Sequence, residues 1–138
     1  SSNKYKNIII FNVLEHLHDH KLTFKELYRI LKKKGSIVGS TPFLYQVHGA
    51  PKDYFRFSKD FLIFILKKHK YTNIKVICLG YGPFVASYNL LYSYLKFLPL
   101  INQIILLLCY LFDTFIQLFV KTDLKEIYPI GFFFSLQK

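Results

Sequence analysis

Phe11–Asp19 (FNVLEHLHD) decides the fold, because it links an apolar run to a helical pattern. The run Tyr5–Phe11 (YKNIIIF) is short and continuous, which is typical of a strand covered on both faces. In Thr23–Lys33 the apolar residues follow the i, i+3, i+4, i+7 spacing of one helical face: Phe24, Leu27, Tyr28 and Leu31. The sequence therefore predicts a strand, a loop that carries the quoted motif, and a helix.

The ends of this helix carry their own signals. Thr23 and Glu26 fit a capping box at its start, and Asp19 is an earlier cap candidate. Lys32–Lys34 suit the negative end of the helix dipole, and Gly35 is expected to end the helix.

Further strands and one more helix follow at the spacing of βαβ units. Ser58 is expected to open the helix, and the strands are predicted at Ser36–Thr41, Asn73–Leu79 and Tyr128–Leu136. This alternation indicates an α/β fold with a mainly parallel sheet. Such sheets bind ligands beyond the carboxyl ends of their strands, so loops 12–20 and 42–57 are the candidate site.

Composition and charge limit the classes of function. The chain has 138 residues, enough for one domain, and 52% of them are hydrophobic, which excludes a disordered protein. Its two cysteines are too few for a disulfide framework or a zinc site. Its net charge of +11 favours an anionic partner, but the lysines lie at predicted helix ends, apart from the aromatic residues, so we expect no nucleic acid partner.

The charge falls almost entirely in the first part of the chain. Residues 1–81 carry fifteen basic and five acidic side chains, whereas residues 82–138 carry four and three. Within 82–120 the charged residues are Lys96 and Asp113, and Pro99 divides this stretch into two apolar segments. We expect a helical hairpin, an insertion at 82–122 before the last strand.

This hairpin has several possible environments. It could cover the sheet edge, pair with a second subunit, or lie in a membrane interface. Leu100–Phe119 is long enough to span a bilayer, but spanning would separate the last strand from its sheet. The opening residues show no export signal, so the chain is expected in the cytoplasm or at the inner face of a membrane.

The order of these motifs resembles the second half of class I S-adenosylmethionine-dependent methyltransferases. In that family a strand runs into V-L-E-H, the next helix ends in R-x-L-K-P-G-G, and another strand follows; here Glu26–Gly35 reads ELYRILKKKG. Lys33 and Lys34 replace the usual Pro and Gly, and Lys6 and Asn7 replace the usual acidic strand opening. His48–Ser58 (HGAPKDYFRFS) further resembles bacterial glycan and lipopolysaccharide methyltransferases.

This resemblance implies a Rossmann-like sheet whose last strand is antiparallel, with S-adenosylmethionine as cofactor. The acceptor would be a small molecule, a sugar or a lipid-linked glycan. The family binds its methyl donor with a glycine-rich turn, yet no G-x-G occurs in this chain. Residues 1–138 are therefore expected to be the carboxyl-terminal part of the domain, inactive alone. The alternative is a non-catalytic remnant or a module that binds a membrane or a partner.

The resemblance also implies roles for the two loops. Asn12, Val13, Glu15 and His16 would line the cofactor cleft; alternatively, Asn12 and Glu15 cap the turn or pair with lysines. His16, His18 and His20 form H-x-H-x-H, but no carboxylate or cysteine partner at a separate position is evident, so no metal is expected.

The second loop carries the candidate catalytic residues His48, Asp53, Tyr54 and Arg56. His48 suits a general base near neutral pH, and Arg56 suits a clamp on an acceptor carboxylate or phosphate. The alternative is structural: Asp53 and Arg56 pair with each other, and Tyr54 packs over the loop.

Overall fold

A computed structural model describes residues 2–49 and 52–138 of the chain. The strands of the described part are β1 (Tyr5–Phe11), β2 (Leu31–Pro42), β3 (Thr72–Leu79) and β4 (Gly131–Gln137). The helices are α1 (His20–Ile30), α2 (Lys59–Lys68), α3 (Pro83–Leu95), α4 (Pro99–Gln117) and α5 (Leu124–Ile127). Two residues of the second loop motif, Ala50 and Pro51, lie outside the described residues.

The strands form one sheet in the order β1-β2-β4-β3. β1 and β2 are parallel. The Lys138 N–H donates to the Gly35 carbonyl, so the end of β4 meets the start of β2. The Ile130 N–H donates to the Leu79 carbonyl, so the start of β4 meets the end of β3. β4 is therefore antiparallel to both neighbours, while β1, β2 and β3 share one direction. The predicted α/β fold with an antiparallel last strand is confirmed, in a mixed sheet.

β1 has its predicted bounds but not its predicted environment. It lies at the edge of the sheet, and Ile9 and Phe11 are 69% and 51% exposed. Ile10 is buried. The expectation of a strand covered on both faces is wrong within the described residues, because side chains alternate along a strand and the face that carries Ile9 and Phe11 is left uncovered.

The first helix starts and ends earlier than predicted. Asp19 caps α1 by accepting from the Leu22 N–H at 2.8 Å, so the capping box at Thr23 is wrong and the earlier candidate is confirmed. The helix ends at Ile30 because the next residue already pairs with β1. Lys32–Lys34 lie in a register shift between β1 and β2, where Lys34 has a φ of 60°.

Gly35 lies within β2 and does not end a helix. A Cβ atom at this position would lie 2.7 Å from the Lys6 carbonyl oxygen and 2.8 Å from the Lys32 carbonyl oxygen. The glycine is therefore required by close backbone approach at the register shift rather than by a helix terminus.

The second helix follows the prediction. The Ser58 side chain accepts from the Phe61 N–H at 3.3 Å and caps α2. The core that the sheet shares with α1 and α2 consists of buried apolar residues: Phe24, Leu31, Ile37, Leu62, Ile65, Leu66, Phe132, Phe134 and Leu136.

The chain divides into two compact units. The first comprises residues up to Phe43, Val47–Ile77 and Phe132–Lys138. The second comprises Leu44–Gln46 and Cys78–Gly131, and it contains the predicted hairpin as α3 and α4, which pack on each other.

Candidate functional site

The loop after β1 is tied to the end of β2. The Asn12 N–H donates to the Ser40 carbonyl at 3.0 Å, and the Asn12 Oδ1 accepts from the Ser40 Oγ at 2.9 Å. Asn12 has a φ of 49°, which asparagine tolerates better than most residues. Asn12 therefore fixes the turn, as its structural alternative held, while the side chain of Val13 is 40% exposed beside it.

Glu15 lies in a single 3₁₀ turn, Leu14–His16, and is fully buried. Its backbone carbonyl accepts from the Tyr54 N–H at 2.8 Å, which joins the two candidate loops. Among the described residues neither carboxylate oxygen has a hydrogen-bond partner. Glu15 neither caps the turn nor pairs with a lysine there, so both of its structural alternatives are wrong for the described part of the chain.

Asp53 and Arg56 form a two-point ion pair within the second loop. The Arg56 Nη2 donates to the Asp53 Oδ2 at 2.6 Å, and the Nη1 donates to the Oδ1. The guanidinium hydrogen bonds lower the pKa of Asp53 to about 2, and the carboxylate in turn raises the pKa of Arg56. This is the structural alternative that the sequence offered, in which Asp53 and Arg56 pair with each other. The Arg56 guanidinium therefore binds a carboxylate of its own loop.

His48 is held by the same carboxylate. Its backbone N–H donates to the Asp53 Oδ2 at 3.1 Å, and its Nδ1 lies 3.3 Å from that oxygen. The rings of His16 and His48 meet edge to face, with centroids 5.0 Å apart. Tyr54 is 45% exposed, and its ring lies beside that of His18.

The structure thus brings five of the eight predicted site residues into one cluster. The side chains of Asn12, Val13 and Tyr54 lie outside it. The cluster contains Glu15, His16, His48, Asp53 and Arg56. One ligand atom each from Glu15, His16 and His48 lies within 4.8 Å of the other two.

Sequence reasoning missed one contact in this cluster. The His16 Nδ1 donates to the Lys52 carbonyl at 2.7 Å, and no side-chain pattern signals a backbone acceptor. The other two histidines of H-x-H-x-H lie outside the cluster, because the ring of His18 lies beside Tyr54 and that of His20 packs against Phe55.

The second unit has an unusual distribution of polarity. Asp113 is fully buried and accepts from the Phe84 and Val85 N–H groups, so it caps α3 from a neighbouring helix. Asn102 accepts from the Tyr88 hydroxyl at 2.7 Å. The polar side chains of α4 named here are therefore bonded inside the unit.

The apolar side chains of α4 face outward. Those at least 40% exposed are Leu100, Ile101, Ile104, Leu107, Leu108, Tyr110, Leu111, Phe112 and Phe115. α4 is 19 residues long and, by length and composition, sufficient to cross a membrane, with 6% of its most apolar window buried. We call the exposed apolar side of α3 and α4 the hairpin surface.

Known methyltransferases resemble this chain in part of its sequence and in its structure. A family model described as a methyltransferase domain matches residues 1–39. No curated protein matches the chain in sequence.

Solved structures match over nearly the whole chain. One is an S-adenosylmethionine-dependent methyltransferase from Archaeoglobus fulgidus: 15% identity, TM-score 0.57, covering 99% of this chain and 61% of that one. Another is Haemonchus contortus phosphoethanolamine N-methyltransferase 2 with S-adenosyl-L-methionine: 14% identity, TM-score 0.58, covering 100% and 34%. A third is an S-adenosylmethionine-dependent methyltransferase from Mesorhizobium loti: 8% identity, TM-score 0.54, covering 100% of this chain and 63% of that one.

These matches show that the chain has a methyltransferase-like α/β fold. The chain spans between about a third and two thirds of the length of these three structures.

Proposed function

We propose that this chain forms part of an S-adenosylmethionine-dependent methyltransferase and supplies the acceptor side of its catalytic domain. The observation that carries this proposal is the similarity of the whole chain to one portion of several methyltransferases. The family match at residues 1–39 supports it, because that segment contains the loop that holds Glu15 and His16.

The open edge of the sheet also supports the proposal. Ile9 and Phe11 leave apolar surface on β1, and an exposed apolar edge strand is normally paired or covered. Further strands of a larger methyltransferase sheet would cover it.

The residues of this chain do not make a complete donor site. S-adenosylmethionine, when bound, supplies an electrophilic methyl group, and the family holds it with a glycine-rich turn. Asn12 and Val13 are exposed at the end of β1 and would form one wall of such a site. No G-x-G is present among the 138 residues to form the opposite wall.

The cluster at the two loops would face the acceptor. Asp53 orients the His48 ring and Arg56 neutralises Asp53, so we assign both to positioning rather than to contact with the acceptor. The acceptor classes favoured by the loop motif are a small molecule, a sugar or a lipid-linked glycan.

Calorimetric titration of S-adenosylmethionine tests the proposal. The 138-residue chain is expected to bind weakly or not at all, whereas a longer natural form with a glycine-rich turn is expected to bind it and transfer methyl groups. Micromolar binding by the 138-residue chain would refute the proposal that this chain forms one wall only of the donor site. Failure of the longer form to bind the donor would refute the methyltransferase proposal and favour the non-catalytic alternative.

We also propose that the hairpin surface lies in a lipid interface. Its polarity is inverted relative to a helix packed on a water-soluble core: Asp113 is internal, whereas Leu100 and Leu118 are each 76% exposed. α3 shows the same inversion, because Asn89 donates to the Leu44 carbonyl inside the unit while Tyr94 is 80% exposed.

A lipid occupant fits this surface better than a second copy of the chain. The exposed apolar residues extend over both helices and the turn between them, where Phe97 is 76% exposed, so a contact with one helix alone would leave part of the surface in water. α4 is about 28 Å long, as interfacial helices often are. The basic first part of the chain would add attraction to anionic lipids.

Vesicle flotation with anionic and neutral lipids tests this second proposal. Ile104→Glu is expected to weaken partitioning roughly tenfold, because it places a charge on the hairpin surface. Ile9→Glu is the matched control: Ile9 is 69% and Ile104 58% exposed, but Ile9 lies on β1, so partitioning should not change. A stable dimer that ignores vesicles, or equal effects of both variants, would overturn the lipid proposal.

A further inference from the structure

The carboxylate of Glu15 is buried in surroundings that a bound cation would stabilise. The residue is fully buried, and in residues 2–49 and 52–138 neither of its oxygens accepts a hydrogen bond. An ionised carboxylate removed from water and left without hydrogen bonds is strongly destabilising. The Arg56 guanidinium makes its two-point bond to Asp53 and acts on Glu15 only through its charge.

Two imidazole rings face this carboxylate. The His16 Nε2 lies 3.8 Å from the Glu15 Oε1, which is too long for a hydrogen bond. One ligand atom from each of Glu15, His16 and His48 falls within 4.8 Å of the others. Around a tetrahedral Zn²⁺, ligand atoms lie about 3.3 Å apart, so small side-chain adjustments would close the cluster on an ion.

The outer contacts of both rings fit metal ligation. The His16 Nδ1–H donates to the Lys52 carbonyl at 2.7 Å, and the His48 Nδ1 lies 3.3 Å from the Asp53 carboxylate. A proton held on Nδ1 by an oxygen acceptor makes Nε2 the basic nitrogen of the ring. A histidine that binds a metal is typically oriented by such a carbonyl or carboxylate.

The charge of the cluster and its access to solvent also favour a bound cation. Arg56 forms its ion pair with Asp53 and attracts Glu15 only through space, so among the described residues the Glu15 carboxylate has two imidazoles beside it and no hydrogen-bonded cation. The side chains of His16 and His48 are 16% and 33% exposed, which gives an ion a path from solvent. Two nitrogens and one carboxylate suit Zn²⁺ or a similar transition-metal ion better than Mg²⁺ or Ca²⁺, which prefer oxygen ligands.

We propose that Glu15, His16 and His48 bind one divalent transition-metal ion of the Zn²⁺ class. Three protein ligands leave a coordination position for water or an oxygen of the acceptor, as in catalytic rather than structural zinc sites. His48 would then act as a metal ligand and not as a free base. The expectation that the histidines bind no metal rested on the lack of a carboxylate or cysteine partner at a separate position, whereas the fold brings His48 from the second loop beside Glu15 and His16.

Metal titration of the full 138-residue chain, first stripped with a chelator, tests this proposal. We expect one Zn²⁺ per chain by calorimetry, and a Co²⁺ complex with the visible absorption of a four- or five-coordinate site. Glu15→Gln and His48→Ala are expected to weaken Zn²⁺ binding on the order of 100-fold, because each removes a ligand. His18→Ala and His20→Ala are the matched controls and should retain full affinity.

Glu15→Gln has a second readout that does not depend on metal affinity. The substitution removes a buried charge, so the metal-free variant should unfold at a higher temperature than the metal-free wild type, and Zn²⁺ should no longer stabilise it. No saturable Zn²⁺ binding, or equal losses in the His18 and His20 variants, would overturn the proposal. The assay uses no methyl donor, so its outcome is separate from that of the methyltransferase proposal.

Discussion

Replacing Asp53 with asparagine should change how the stability of the protein depends on pH. The Arg56 hydrogen bonds hold the pKa of Asp53 at about 2, against an ordinary value of 3.8. One pKa unit corresponds to about 1.4 kcal/mol, so the difference is worth up to about 2.4 kcal/mol. Because the Arg56 side chain is 23% exposed, solvent screening reduces this contribution to about 1–2 kcal/mol.

The sign follows from proton linkage. The folded-state pKa of Asp53 is lowered, so its contribution is fully present above pH 4 and is lost as the pH falls from about 4 to about 2. In Asp53→Asn the carboxylate is missing at every pH. The difference in unfolding free energy between wild type and variant should therefore be largest near neutral pH and shrink across this window.

Urea unfolding at a series of pH values from 7 to 2.5 measures this difference. Asp123→Asn is the matched control, because Asp123 also has a pKa lowered by a hydrogen bond, from Lys125, but lies on the surface. An exposed pair contributes little, so this variant should follow the wild type. If the wild-type and Asp53→Asn curves remain parallel down to pH 2.5, the Asp53–Arg56 pair does not stabilise the fold.

Three further substitutions test a closely packed glycine, a helix cap and a buried hydrogen bond. Gly39→Ala places a Cβ 2.4 Å from the Phe134 Cζ in the core, so urea unfolding should show a loss of about 1–3 kcal/mol, and an unchanged midpoint would contradict the packing. Asp113→Ala removes both acceptors at the start of α3, so the free energy of opening there should fall by about 1–3 kcal/mol, seen as faster amide exchange; unchanged exchange would contradict the cap. Tyr71→Phe removes a buried hydrogen bond to the Phe24 carbonyl, so we expect a loss of about 1 kcal/mol and a lower melting temperature; an equal melting temperature would contradict the bond.

Local periodicity was sufficient to place most elements of the fold. The apolar run of β1 and the cap at Ser58 lie where the sequence predicted them. The end of α1 could not be predicted, because the lysines after it look like a helix terminus. Pairing with β1 decides that boundary, and Leu31 is drawn into β2 with no exposed surface.

The position of the candidate site was predictable for a topological reason. Parallel strands end at one edge of a sheet, so the loops after β1 and β2 had to meet there. Which side chains would pair across those loops was not predictable. Glu15 and His48 are separated by more than thirty residues, and their approach depends on the ion pair and the backbone contacts of the second loop.

The distribution of apolar surface links the two proposals about function. Hydrophobic residues make up 52% of the chain, yet many large ones are exposed in each of the two units. In the first unit this surface lies on β1, where backbone groups at a sheet edge favour further strands. In the second it lies on helices, which satisfy their own backbone hydrogen bonds and can therefore meet lipid directly. Exposed apolar surface thus favours further strands of a larger sheet at β1 and a bilayer at α4.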